Sequence, residues 1–266
     1  GTTPGGVTLG SVASQIGHTG RAAGLAGLIK TARALHAGVR PGTLHLNEPT
    51  AAWDPETSPF VFSHTPRPWP AEPGERCAGL SASGLGGTAF HAVLAGYGGA
   101  PEPVSGTAAW PAELFLFRGA DRAEARERMD RIAALGTGAR LRDLARTAAE
   151  QHSGPVQVAL VATSPEDLAA KLEPARRFEA APGVYPAVGE RPGRVAFLFP
   201  GHGGLRPGML ADLFVAFPRL QRLLRLSGGR YAEAMFPPAA FTAEEEARQR
   251  QALGDIRIAQ PALAIA

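Results

Sequence analysis

Between Ala22 and His36, the apolar residues Ala22, Leu25, Ala26, Leu28, Ile29, Ala32 and Leu35 cover nearly the whole circumference of a helix, which predicts a helix buried on most sides. Gly24 and Gly27 within it lower intrinsic helicity by roughly 1 kcal/mol each relative to Ala, a cost tolerated where another backbone must approach closely. Gly38 ends it. Upstream, Val7 to Val12 alternates weakly and predicts a strand. Downstream, Pro41 to Pro70 predicts an irregular excursion with short extended pieces at Thr43 to Leu46 and Phe60 to Ser63. Two further runs, Cys77 to Ala82 and Ala89 to Ala95, flank the turn SGLGGT and predict a hairpin-like pair that closes a sheet.

From Gly96 to Trp110 the chain is rich in Gly and Pro without periodicity, which marks a first boundary. A compact alternation follows: strand AELFLF, a charged helix from Ala120 to Leu135, a second helix from Leu141 to Gln151, strand VQVALVA, and the helix of TSPEDLAAKLEPARRF. In that last helix Thr163 or Ser164 can cap, Pro165 suits the first turn, and Glu166 and Asp167 sit where the helix dipole favours acids. A second Pro/Gly stretch, APGVYPAVGERPG, leads to RVAFLFPG, whose near-continuous apolar run predicts a strand buried on both faces. Then come the loop GHGGLRPG, a helix from Met209 to about Phe217, and a basic amphipathic helix near Pro218 to Arg225. The final IAQPALAIA reads as an apolar helix cut short, so the chain is expected to be a fragment.

At 266 residues, 44% of them hydrophobic, the chain can bury a real core as one large domain or two to three small ones. The formal charge is only +3. The basic residues are nearly all Arg, with Lys only at 30 and 171, and are spread among acids, which argues against a nucleic-acid surface. The single Cys77 can form no internal disulfide or Cys-rich metal site, and a reducing cytoplasmic location fits it. No apolar run reaches eighteen residues and no signal-peptide pattern is present, so no membrane association is expected.

The residues themselves offer one strong chemical candidate, His18, set between glycines just ahead of the apolar helix. Its plain alternative is a histidine that satisfies backbone groups at a helix start. His36, His45, His64, His91 and His152 lack the paired spacing or acidic companions of a metal site, so no metal is expected. His91 stands where strand alternation alone would put it. Lys30 lies in the apolar helix and can equally snorkel to the surface.

GSVASQIGHTGRAAGLAGLIK resembles the segment around the second catalytic histidine of β-ketoacyl synthases, and AGLSASGLGGTAFHAVL is similar to the glycine-rich closing hairpin of the same domain. RPWP falls between them, where modular polyketide synthases carry it. RVAFLFPGHGGLRPGML looks like the opening of a malonyl-type acyltransferase, and AQPAL resembles a motif that precedes its nucleophilic serine. SQIGHT, SPFVFSHTPRPWP and GGRYAEAMFPP lean towards the polyunsaturated-fatty-acid and enediyne type of iterative synthase.

The resemblance to type I polyketide synthases implies an α/β chain in three parts: the C-terminal portion of a thiolase-like ketosynthase (1–96), a small α/β linker domain (97–192) and the beginning of an α/β-hydrolase-like acyltransferase (193–266). It implies that His18 is one of two imidazoles serving decarboxylative Claisen condensation of acyl and malonyl thioesters, and that Lys30 is a positioner paired with an acid. By the same resemblance Gly84, Gly86, Gly87 and Thr88 line the acyl pocket, and Gly201, His202 and Gly203 form the acyltransferase oxyanion loop. The implied partners are malonyl-CoA, the remaining synthase segments, an acyl carrier protein that supplies phosphopantetheine, and a second copy through the ketosynthase. No other cofactor is implied.

Ser83 and Leu85 stand where the family usually has Phe, Ala89 where it has Asn, and His202 where it has Gln. The chain holds no Gly-x-Ser-x-Gly elbow and no ketosynthase Cys motif, so the 266 residues alone are expected to be inert in both reactions. Two other readings stand beside this one. The first is a structural or docking segment whose Arg219 to Arg230 stretch meets an acidic carrier helix; the second is a degenerate ketosynthase–acyltransferase that binds carrier protein.

Overall fold

A computed structural model describes residues 3–99, 101–136, 138–150, 154–188, 193–199, 201–226 and 229–266. The chain divides into two units, one of residues 1–107 with 198–266 and the other of residues 108–197.

In the first unit, β1 (Val7–Thr8) gives way at once to α1 (Ala13–Ile16). The strand expected to reach Val12 is therefore only two residues long, because Val12 is already helical and serves as the N-cap of α1. A 3₁₀ turn at Gly20–Ala22 runs into α2 (Ala23–Ala37), which Gly38 closes in the left-handed conformation at φ 65°. Short strands follow: β2 (Val39–Arg40), β3 (Phe60–Val61) and β4 (Arg67–Pro68). Strand β1 pairs in parallel with β3, and β2 antiparallel with β4. The extended piece expected at Thr43 to Leu46 is instead a turn in which His45 takes φ 60°. The hairpin β5 (Cys77–Ser83) and β6 (Ala89–Ala95) is the one the sequence anticipates, paired antiparallel along its full length.

Helix α2 lies on β5, running against its direction. A Cβ on Gly24 would stand 3.1 Å from Ala82 Cβ, and one on Gly27 2.8 Å from Leu80 Cδ1. At the other end, Arg76 Nη1 donates to Leu35 O at 3.0 Å. The glycines thus do what their cost implies: they let the helix seat against the hairpin. The expectation of burial on most sides fails, however, since only Gly27, Ala34 and Leu35 are buried, and Leu25 and Ile29 are 65% and 62% exposed. The small-residue face meets the hairpin, which turns the bulky aliphatic face outward.

The second unit is built from β7 (Glu113–Gly119), α3 (Arg122–Ala134), α4 (Leu141–Ala149), β8 (Val156–Ala162), α5 (Pro165–Arg177) and β9 (Val184–Val188). The sheet order is β7-β8-β9, antiparallel throughout. Alternate residues Phe115, Phe117, Val158 and Leu160 are fully buried against Met129, Leu144 and Leu172 of the helices. Strand β9 lies in what reads from sequence as a Pro/Gly connection. Its Pro186, opposite Val158, is compatible with an edge strand, where a missing N–H costs no ladder bond. Ser164 caps α5 as one of the two expected candidates, accepting from Asp167 N at 3.1 Å, and Asp121 caps α3, accepting from Glu124 N at 2.9 Å. Replacing Ser164 by Ala is expected to destabilise this unit by about 1 kcal/mol, read as a lower denaturant midpoint; an unchanged midpoint would show the cap to be idle.

The strand expected from Arg194 does not form. Among the described residues, 193–199 pair with no strand, and Val195, Phe197, Leu198 and Phe199 are at least 80% exposed, because an apolar run becomes a strand only where a ladder partner takes its backbone groups. Beyond it come α6 (Ala211–Ala216), α7 (Gln221–Arg225), α8 (Arg230–Met235), α9 (Ala243–Gly254) and α10 (Ile256–Ile265). Helix α6 starts later than its sequence pattern because Leu210 takes φ 59°. Phe214, Leu224, Met235, Phe236, Leu253 and Ala262 form the core of these helices.

Buried polar contacts join them to the first stretch of the same unit. Gln221 Nε2 donates to Gly38 O at 2.9 Å, Arg67 Nη1 donates to Phe236 O at 2.9 Å, and Ala239 N donates to Phe62 O at 2.8 Å. Burial, with the neighbouring charge of Arg40, lowers the Arg67 guanidinium to a pKa of about 10. No described helix is long and apolar enough to cross a membrane.

Candidate functional site

His18 sits in the short connection between α1 and the 3₁₀ turn, exposed, just after Gly17 at φ 78°. Because α2 runs against β5, the helix end that His18 precedes lies beside Ala82, where the hairpin turns over at Ser83–Thr88. The structure therefore brings His18 and the glycine loop to one end of the helix–hairpin pair, with no hydrogen bond between them.

The segment carrying His18 is pinned from behind. Lys30 Nζ donates to Ser11 O at 2.9 Å, Ser14 Oγ donates to the same oxygen at 3.1 Å, and Leu44 N donates to Ser14 Oγ at 3.2 Å. Lys30 is half-buried, and desolvation lowers its pKa. Its bond is to a carbonyl, not to the acid that the resemblance implies.

Within the loop, Gly84 N donates to Thr88 O at 2.9 Å and Gly87 N to Gly84 O at 3.0 Å, so these two donors are engaged inside the turn. Gly87 needs its glycine for φ 82°. A Cβ on Gly86 or Gly87 would meet nothing within 4 Å, and Leu85 is fully exposed. The loop is open on its outer side.

Gly201 and Gly203 lie on the later stretch of the unit, around a 3₁₀ turn at His202–Gly204 closed by Gly204 N donating to Gly201 O at 2.9 Å. Space is open beside both glycines. The His202 side chain lies outside the described residues, as does His152.

The remaining histidines are scattered. His64 packs edge-on to Phe241 at 5.4 Å, and His36 lines a crevice with Leu35, Pro73, Tyr97 and Glu102 at the far end of α2 from His18. Among the described residues no three metal-ligating side chains converge. Of the arginines between 219 and 230, Arg225 is tied to Glu72 at 2.9 Å and Glu102 at 3.3 Å, while Arg219, Arg222 and Arg230 are exposed.

One pair escaped the sequence reading: Ser81 Oγ lies 2.9 Å from His91 Nδ1. The hairpin symmetry could have shown it, since pairing 83 with 89 across the turn puts 81 opposite 91.

Residues 2–47 match the family described as beta-ketoacyl synthase, C-terminal domain. The chain is 35% identical over 239 residues, 85% of its length, to the polyketide synthase GfsA of Streptomyces halstedii. It is also 34% identical over 268 residues, 96% of its length, to the spectinabilin polyketide synthase system protein NorA' of Streptomyces orinoci. The chain belongs to the type I polyketide synthases. It begins with the C-terminal region of a ketosynthase, at residues 2–47.

It spans 3% and 7% of the lengths of those two polyketide synthases. A ketosynthase from module 6 of the bacillaene synthase of Bacillus subtilis 168 overlaps 71% of the chain, and the chain covers 34% of that structure, at 25% identity and a TM-score of 0.35. That overlap is too loose to support an argument about geometry.

Proposed function

We propose that the complete synthase condenses acyl and malonyl thioesters with loss of carbon dioxide and loads malonyl units from CoA onto the phosphopantetheine of an acyl carrier protein. The chain divides between these tasks as ketosynthase portion (1–96), linker domain (97–192) and acyltransferase beginning (193–266). The observation that carries the reading is the meeting of the His18 end of α2 with the glycine loop of the β5–β6 hairpin. There an imidazole N–H can donate to a thioester or enolate oxygen as charge develops. Lys30 positions His18 by holding Ser11 O, and Gly84, Gly86, Gly87 and Thr88 leave room for the acyl chain.

Gly201, His202 and Gly203 serve malonyl transfer, their small residues keeping the backbone approachable. A second copy of the chain and the other synthase segments complete the assembly. The exposed Arg219, Arg222 and Arg230 offer an acidic carrier a place to dock, which keeps a docking role alongside catalysis.

The test is a pair of assays, malonyl transfer and chain extension, on a synthase containing this sequence and on the 266 residues alone. The reading predicts both activities in the first and neither in the second. Chain extension by the 266 residues alone would overturn it.

A further inference from the structure

The two faces of the β5–β6 hairpin are told apart by what touches them. Ala82 and Leu80 face α2, where a Cβ on Gly24 would stand 3.1 Å from Ala82 Cβ and one on Gly27 2.8 Å from Leu80 Cδ1. Ser81 and His91, with Oγ and Nδ1 2.9 Å apart, occupy the opposite face. Side chains alternate along a strand, so Phe90 and Ala92, which stand opposite Ala82 and Leu80 in the ladder, share the α2 side. Gly84 N donates to Thr88 O, and hydrogen-bonded pairs alternate in an antiparallel ladder. Ala82 and Phe90 are therefore such a pair, with Cα atoms about 5.5 Å apart. Phe90 is thereby set beside the first turn of α2, at the end of the helix–hairpin pair that also carries His18 and the glycine loop. The ladder and the helix fix this side for the ring, and synthase segments outside these residues can cover the hairpin without changing it.

The residues next to it are small: Gly24, Ala82, Ser83, Gly84 and Ala89 carry at most a methyl or hydroxymethyl group. On the α2 side of that end Phe90 is accordingly a wall among small neighbours. We propose, resting on the condensing role given to His18, that Phe90 selects the acyl chain to be extended by standing against the carbons next to the thioester, so that unbranched chains are admitted over α-branched ones. An imidazole that donates to the thioester oxygen holds the carbonyl at this end, and a ring at the same end meets the α-carbon before it meets the far end of the chain. A methyl branch on that carbon has to share the space of the ring. One added or missing carbon in an apolar pocket changes kcat/KM by about 10- to 200-fold.

The experiment uses a synthase containing this sequence, with malonyl-CoA as extender and butanoyl or 2-methylbutanoyl N-acetylcysteamine thioester as the chain to be extended, and reads kcat/KM for each extended product. Phe90→Ala should lower the ratio of unbranched to branched extension at least about tenfold, and Phe90→Leu should lower it by less. The same ratio in Phe90→Ala as in the unsubstituted synthase would overturn the proposal. Where truncation costs the fold, Phe90→Trp still decides: it should raise the ratio, and a ratio that does not rise would overturn the proposal as well. His18→Ala on the same substrates keeps the two roles apart. Loss of extension in His18→Ala beside an unmoved ratio across the Phe90 variants would remove only the selectivity of Phe90, whereas extension that survives His18→Ala would remove the condensing role and the selectivity with it.

Discussion

In a synthase containing this sequence, His18→Ala is expected to lower chain extension by at least about a hundredfold while malonyl loading stays unchanged. The side chain is exposed at the end of the helix–hairpin pair that also carries the open loop, and among the described residues no hydrogen bond ties its ring to a structural task. Its removal should therefore leave the fold intact and take away only a donor to developing negative charge. Lys30→Met separates positioning from chemistry. It removes one of the two donors to Ser11 O, leaving Ser14 Oγ, and loosens the segment that carries His18, so extension should fall less than with His18→Ala. Product formation, malonyl loading and a thermal melt on the same preparations check both variants. Equal loss of loading and extension would mean that His18 holds structure.

Arg76→Ala is expected to destabilise the first unit by about 3 kcal/mol, seen as a lower midpoint of its unfolding transition. The guanidinium is 1% exposed, donates from Nη1 to Leu35 O and from Nε to Ala71 O, and lies directly under Gly38. Removing it strips donors from two carbonyls, each worth about 1–3 kcal/mol when left unpaired in a buried place, and opens a void beneath the end of α2. Gly38→Ala attacks the same joint from above. Residue 38 holds φ 65°, and the new Cβ would meet the Arg76 guanidinium at 2.8 Å, so this change should also destabilise the unit. A midpoint unchanged by either substitution would show that the joint between helix and hairpin lies elsewhere.

Periodicity and turn chemistry carried much of the fold. The hairpin appears where two alternating runs flank SGLGGT, and α3, α4 and α5 begin and end within a few residues of their signals. Those features are local, and local preference sets them. The misses needed tertiary information. Strand β9 hides among prolines because an edge strand tolerates Pro186, whereas residues 193–199 look like a strand and find no partner.

Leu25 and Ile29 belong to an apolar pattern that says a helix face can be covered but not which face is. Arg76 gave no sequence signal, since a buried arginine is recognised only from the carbonyls around it. As for the site, the motif singled out His18 and the glycine loop, but their placement at one end of a helix antiparallel to β5 comes from Gly24 and Gly27 meeting Ala82 and Leu80.

That antiparallel seating is the central claim, and a cross-link tests it most directly. In a Cys77→Ala background, Gly24→Cys and Ala82→Cys place two Cβ atoms about 3.1 Å apart, a few tenths of an ångström short of the usual disulfide range. Mild oxidation should close a disulfide between residues 24 and 82 within one chain, visible as a linked peptide pair. Two free thiols under the same conditions would contradict the account, because His18 and the glycine loop would then not share one end of the helix–hairpin pair.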